Sequence, residues 1–222
     1  MYTIKLKSLL FLSVFLLFAC QINSNSKKEN TIAEATLQPK DLEGYETAYF
    51  ASGCFWCVEA IFESVEGVEE VVSGYSGGKE SNPTYQQVGR GLTNHAEAVE
   101  VYYDPKVVSF ETLVKVFFGS HDPTTKNRQG PDRGAEYRSI AFYKTPQQQK
   151  FIKNYIKKLE QKGTYNKKIV TEVVPFTKFW IAEDYHQDYE KRHPNNPYVK
   201  NVSIPRLKRF QKKFPELLKK EH

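Results

Sequence analysis

The sequence predicts an α+β sandwich, a mixed β-sheet flanked by helices. Three observations carry that class. Apolar stretches of strand length alternate with stretches whose apolar residues recur at helical spacing. The segment AEAVEVYYDP (96–105) alternates cleanly, with Glu97, Val99, Val101 and Tyr103 on one face and Ala98, Glu100 and Tyr102 on the other. Finally, 222 residues that are 40% hydrophobic and 14% aromatic suffice to bury one sizeable core, and no internal repeat is visible.

The chain starts with a targeting segment. Lys5 and Lys7 precede eleven almost wholly apolar residues, Leu9 to Ala19, which is signal-peptide length and short for a membrane span. Leu17-Phe18-Ala19-Cys20 resembles a lipoprotein box, with Phe18 where a small residue is usual. The expectation is a signal peptide over 1–20, lipidation of Cys20, and an extracytoplasmic protein anchored to a bacterial membrane. Residues 21–45 are polar and poor in aromatics, and read as a flexible tether to a catalytic domain over 46–222. Loss of Lys5 and Lys7 on processing takes the formal charge from +6 to +4. The basic run RLKRFQKKFPELLKK reads as the solvated face of an amphipathic helix, so no nucleic-acid partner is expected.

Within the domain, TAYFAS (47–52) reads as a buried strand and Gly53 as a tight turn into a helix over 54–66, with Phe55, Val58, Phe62 and Val65 on its core face and Gly67 ending it. VEEVVSGYSGG is a strand entering a glycine-rich loop. Asn82 and Pro83 read as the N-cap and first turn of a short helix carrying Tyr85 and Val88. After the strand at 96–105 comes a helix over 109–118, and then a polar loop of nearly twenty residues, a length that marks a functional or a disordered segment. YRSIAFY (137–143) is a strand, Thr145-Pro146 opens a helix through Gln161, and IVTEVVP is a strand. The remainder, with Phe176, Phe179, Trp180 and a short helix over 206–213, is expected to wrap the sheet.

The stretch GCFWCVEAIF (53–62) concentrates the chemistry. Zinc takes four ligands, whereas Cys54 and Cys57 supply two and no histidine forms a paired ligand motif, so no metal is expected. Two thiols packed as small apolar groups are the bland alternative. Against it, Cys54 falls at a strand-to-helix turn, where the helix N-terminus favours an anion and is expected to lower the thiol pKa. Glu97 lies in line with an apolar face. At a strand end it could face water, but if buried it becomes a proton donor near neutral pH.

Five stretches in order, GCFWCVEAIF, SGYSGG (73–78), PTYQQV (83–88), TNHAEAVEVYYDP (93–105) and NRQGPDRGAEYRSIAFY (127–143), resemble the A-type peptide methionine sulfoxide reductases, a likeness spanning about residues 46 to 215. Asn94 stands where glycine is commoner, and Ala135-Glu136 replaces the commoner Thr-Gln. No cysteine follows Cys57, whereas many members carry a resolving thiol near the C-terminus.

The resemblance implies the family's ferredoxin-like fold and reduction of methionine sulfoxide, free or in oxidised proteins and peptides, with the S epimer as substrate. It implies Cys54 as nucleophile passing through a sulfenic acid, Glu97 as general acid, and Tyr85 and Tyr137 as hydrogen-bond donors. Asp132 would order the polar side of the site, with Phe55 and Trp56 the apolar wall for the substrate methyl group. Without that context Tyr85 and Tyr137 read as core aromatics and Asp132 as a turn residue. Cys57, one helical turn on, is the thiol available to resolve the sulfenic acid. The expected partner is a thioredoxin-like external reductant, with no cofactor, and the chain is expected to be a monomer. Alternative readings are a secreted C-x-x-C thiol-disulfide oxidoreductase and a non-catalytic binding lipoprotein.

Overall fold

A computed structural model describes residues 42–220. The expected signal segment 1–20, with Cys20, and the expected tether as far as residue 41 lie outside the described residues. No helix among the described residues is long and apolar enough to cross a membrane.

Strand β1 (Glu46–Ser52) leads through Gly53 and Cys54 into helix α1 (Phe55–Glu63), followed by β2 (Val68–Ser76), the one-turn helix α2 (Tyr85–Gly89), β3 (Ala96–Tyr103), α3 (Phe110–Ser120), the two-residue strands β4 (Arg128–Gln129) and β5 (Asp132–Arg133), and β6 (Ser139–Tyr143). Beyond them come α4 (Pro146–Gln161), β7 (Glu172–Pro175), β8 (Phe179–Ile181), α5 (Tyr189–Arg192), a π-helical turn over Val199–Ser203 and α6 (Ile204–Lys213). The six-stranded sheet has the order β7-β6-β1-β3-β2-β8. Its inner four strands, β6-β1-β3-β2, are antiparallel throughout. With α1 and α3 as the two crossing helices, this is the ferredoxin-like βαββαβ arrangement. Helix α4 then carries the chain back so that β7 pairs parallel to β6, which makes the sheet mixed.

Strand alternation gives β1 two buried faces. Phe50 points to the helices, its ring 5.1 Å from Phe62 of α1 and 5.1 Å from Phe117 of α3. Tyr49 points to the other face and stacks on Phe176 at 3.6 Å, in a cluster that also holds Ala51, Ala98, Ile140 and Phe142. The tail therefore covers the sheet as the sequence suggests, and contributes the edge strand β8, which pairs with β2.

Three local expectations are corrected. Asn82 and Pro83 do not start α2: Asn82 lies at φ +48° and Thr84 is the N-cap. Thr84 and Gln87 form a capping box, Gln87 N donating to Thr84 Oγ1 at 3.3 Å and Thr84 N to Gln87 Oε1 at 3.0 Å, and two satisfied N–H groups outweigh the Asn-Pro signal. The strand expected over 169–175 is confined to Glu172–Pro175. The basic run near the C-terminus is not wholly solvated, because Arg206 is 8% exposed and packs beneath the end of β1.

The β1–α1 junction positions everything that follows. Gly53 sits at φ +92°, and a Cβ there would lie 2.6 Å from Gln129 Cβ, so both the turn and the close approach of β4 require glycine.

Candidate active site

The antiparallel register of β1 and β3 pairs Phe50 with Val99, so the start of β3 runs alongside the place where β1 turns into α1. Glu97 therefore arrives at the beginning of α1. It is 2% exposed, and its Oε2 accepts the backbone N–H of Phe55 at 3.0 Å. The open question about Glu97 is thus closed in favour of burial. Burial pushes its carboxyl up to about 8, against the lowering by the Phe55 N–H, and Asp132 and Glu136 nearby push the same way as burial. At neutral pH the group is mostly the acid, a hydrogen-bond donor.

Cys54 is the N-cap residue of α1 and 7% exposed, but its side chain caps nothing. Burial pushes its thiol well above the ordinary value, and the hydrogen bond with Cys57 acts in the same direction. This corrects the expectation of a thiol lowered by the helix N-terminus, and the reason is visible. The Phe55 N–H is committed to Glu97, and the N–H groups of Cys57 and Val58 turn back to the Cys54 carbonyl at 3.2 and 3.4 Å. Cys57 moves the other way, to about 6, lowered first by the hydrogen bond with Cys54 and, against burial, by Arg206, Ser203 and Tyr198. Neither cysteine belongs to a cluster of three or more converging metal-ligand side chains among the described residues.

The long loop between α3 and β6 delivers two further side chains. The β4–β5 hairpin carries Asp132, and a 3-10 turn over Ala135–Tyr137 carries Tyr137. Tyr85 enters from the first position of α2, and its backbone N–H is held by Glu183 Oε1 at 3.0 Å. Among the described residues, the hydroxyls of Tyr85 and Tyr137 have no hydrogen-bond partner, and both face the charges of Glu97 and Cys54. Burial and then Glu97 raise both phenols, Tyr85 to about 12, so both remain proton-bearing donors. Asp132 is raised by burial, against the hydrogen bond it accepts from Tyr198 at 2.6 Å.

Phe55 is fully buried between the rings of Tyr75 at 5.9 Å, Tyr85 at 6.5 Å and His186 at 4.9 Å. Trp56 is half-buried, and three residues that sequence reasoning missed hold it. Tyr189 stacks on it at 3.6 Å, His186 Nδ1 accepts its indole N–H at 3.1 Å, and Tyr198 meets it edge-on at 6.0 Å. His186 must therefore carry its own proton on Nε2, and burial lowers its pKa to about 4, which keeps it neutral. A buried indole N–H needs a partner. That requirement, with the density of aromatic and polar groups in EDYHQDY (183–189), is the signal that could have found His186 and Tyr189.

The arrangement places two thiols, a protonated carboxyl, two phenol donors and an apolar wall at one end of the sheet. The chain as a whole has relatives among known proteins. A family model described as "Peptide methionine sulfoxide reductase" matches residues 46–218. The chain belongs to the peptide methionine sulfoxide reductase family.

Relatives include MsrA 1 of Rhodopirellula baltica, 48% identical over 191 residues, 86% of this chain and 96% of the relative, and MsrA of Sulfolobus acidocaldarius, 50% identical over 77% of this chain and 96% of the relative. Among solved structures, methionine sulfoxide reductase A of Corynebacterium diphtheriae is 38% identical with a TM-score of 0.62, covering 71% of this chain and 77% of that one. Reduced Mxr1 of Saccharomyces cerevisiae is 33% identical with a TM-score of 0.65, covering 72% and 90%. The protein is accordingly an enzyme that reduces methionine sulfoxide, a repair reaction, and the fold is the one this family uses.

The raised Glu97 carboxyl links to stability with a definite sign. Between an unfolded value near 4.5 and a folded value of about 8 the native state binds the extra proton, so the stability this group contributes is full below the first value and lost as pH rises through the second. Relative to wild type, Glu97→Gln should therefore gain stability between about pH 5 and about pH 9, measured by urea unfolding at each pH. A pH-independent difference contradicts the burial account.

Proposed function

We propose that this reductase acts on the S epimer of methionine sulfoxide, free or in oxidised proteins, by way of a Cys54 sulfenic acid that Cys57 resolves. The observation that carries this reading is the convergence, at the start of α1, of the Cys54 thiol and the acid form of Glu97, whose carboxyl accepts the Phe55 N–H. The substrate methyl group rests against Phe55 and Trp56, and the sulfoxide oxygen takes hydrogen bonds from Glu97, Tyr85 and Tyr137.

The oxygen is a poor leaving group until it is protonated. Glu97 supplies that proton as Cys54 sulfur attacks the substrate sulfur. The Cys54 proton can pass to Cys57, with which it already shares a hydrogen bond, an uphill transfer that puts the negative charge of the pair on the attacking sulfur. The sulfur–oxygen bond breaks, the substrate leaves as methionine, and the oxygen remains on Cys54 as a sulfenic acid. Substrate sulfur has gained two electrons and Cys54 has lost two.

Cys57 then displaces the oxygen as water and forms the Cys54–Cys57 disulfide. Its N–H bonds to the Cys54 carbonyl, so the two residues share the first turn of α1, and that turn must loosen for the sulfurs to join. An external dithiol of the thioredoxin class returns both thiols, and no cofactor is called on, since cysteine supplies the electrons. The alternative of a general thiol-disulfide oxidoreductase is not favoured, because thiols that are 7% and 2% exposed are poorly placed to meet a folded protein's disulfide. We further propose that the chain is a monomer held at an extracytoplasmic membrane surface by lipid on Cys20, the reading that the Lys5–Lys7 start and the Leu9–Ala19 run support.

One equivalent of methionine sulfoxide should remove two thiols from the wild-type domain and yield a Cys54–Cys57 disulfide by peptide mapping. Cys57→Ser should stop at a trappable sulfenic acid, and Cys54→Ser should release no methionine. Methionine release from Cys54→Ser would refute the nucleophile, and sulfenic acid persisting in wild type with Cys57 free would refute resolution. For the anchor, mass spectrometry of membrane-extracted protein should show a diacylglyceryl group on an N-terminal Cys20. A soluble mature chain starting elsewhere contradicts it.

A further inference from the structure

Arg206 is a buried cation that makes no direct ion pair among the described residues, the Asp132 carboxyl feeling its charge without touching it. It is 8% exposed, and its guanidinium donates to neutral groups only, Nε to the Ser120 carbonyl at 3.0 Å and Nη2 to the Ser52 carbonyl at 3.0 Å and Ser52 Oγ at 3.4 Å. An arginine stays charged, and a buried charge without a directly paired counter-charge is expensive. Such a group persists where something negative is to be held.

The anion it can serve is close by. Ser52 is two residues before Cys54, so the cation lies under the turn that carries the thiols. Its field, together with Tyr198, acts on Cys57 in the direction of the thiolate, while the Ser203 hydroxyl gives its proton to Glu190. Tyr198 Oη lies 3.8 Å from Cys57 Sγ and donates its proton to Asp132 Oδ2 at 2.6 Å. A phenol has one proton, so while Tyr198 gives it to Asp132 the contact with Cys57 runs from thiol to phenol oxygen. The line Cys57–Tyr198–Asp132 is thus ready for a double transfer, in which the thiol proton moves to Tyr198 and the phenol proton to Asp132. Afterwards the phenol donates to the thiolate and Arg206 faces it. Tyr198, Ser203 and Arg206 all come from the C-terminal segment, which in this chain has no cysteine.

We propose that the segment 198–206 is a thiolate cradle for Cys57, in which Arg206 and Tyr198 are positioning residues for the resolving step. This rests on the reading of Cys57 as the resolving thiol. The step balances without a reagent beyond solvent water. Cys57 loses its proton through Tyr198 to Asp132 and its sulfur bonds to Cys54 sulfur. The Cys54 sulfur–oxygen bond breaks, and the departing hydroxide leaves as water with a proton from Glu97, which has regained one from solvent water after giving its first to the sulfoxide oxygen. The charged or titratable groups facing Cys57 are Cys54 at the start of α1, Glu97 on β3, Asp132 on β5 through Tyr198, Tyr198 itself and Arg206 on α6.

Two measurements test this separately from the resolving role. In the full chain carrying Cys20→Ser and Cys54→Ser, Cys57 is the sole thiol, and its thiolate is titrated by ultraviolet absorbance without substrate. Adding Arg206→Met should raise the midpoint by about one unit or more, and Arg206→Lys should restore most of the shift. In the full chain with only Cys20→Ser, Arg206→Met should slow loss of the sulfenic acid about ten-fold or more, by a clearly larger factor than it changes the burst of methionine, with the pH profile of that loss displaced upward. An unmoved midpoint in Arg206→Met overturns the cradle, whether or not a disulfide forms. If the midpoint moves but the parent protein makes no Cys54–Cys57 disulfide, the cradle stands and the resolving role falls. A burst slowed as much as the decay overturns the positioning role, because Arg206 then only supports the fold.

Discussion

A single hydrogen bond, from the Phe55 backbone to the Glu97 carboxyl, ties the sheet register to the chemistry. It exists because β1 and β3 run antiparallel with Phe50 opposite Val99, which brings the start of β3 to the start of α1. It also consumes an N–H group at the helix N-terminus, one that would otherwise stabilise an anionic sulfur. The carboxyl, shut off from water, prefers to keep its proton, and the thiol beside it does the same. The site at rest is therefore primed to donate protons, which a sulfoxide oxygen requires.

The surroundings of Cys57, by contrast, favour a negative charge, and several distant parts of the chain contribute to that. Arg206 reaches under the end of β1, Tyr198 bridges to Asp132, and the loop hairpin that carries Asp132 packs so tightly on Gly53 that only glycine fits there. Elements far apart in sequence thus meet on one turn of helix. On the opposite side, EDYHQDY clamps the apolar wall. Glu183 holds the Tyr85 backbone, His186 holds the Trp56 indole, and Tyr189 covers its face. The wall is rigid through contacts made by residues that themselves do no chemistry.

Much of this was legible in the sequence, for physical reasons. The alternation of 96–105 revealed both the strand and the buried face on which Glu97 lies, and the glycine before Cys54 marked the turn. What could not be read depends on tertiary contact. Arg206 sits in a basic amphipathic run whose other cations are mostly solvated, and nothing local distinguishes the one that turns inward. The Cys54 shift runs against the expectation because burial outweighs the helix N-terminus, one of whose N–H groups is taken by Glu97, and both depend on long-range contacts. The Thr84 cap was missed because Asn-Pro two residues earlier carries a competing signal. The strand β8 is three residues long and owes its existence to the exposed edge of β2.

The central claim is that Glu97 is the protonated acid of the resting site. Infrared difference spectroscopy across a pH titration, on wild type and Glu97→Gln, tests it most directly. A protonated-carboxyl C=O band present in wild type, absent in the variant, and lost with a midpoint at about 8 is the expected result. A band that disappears in the ordinary glutamate range, or one that the substitution leaves unchanged, contradicts the account.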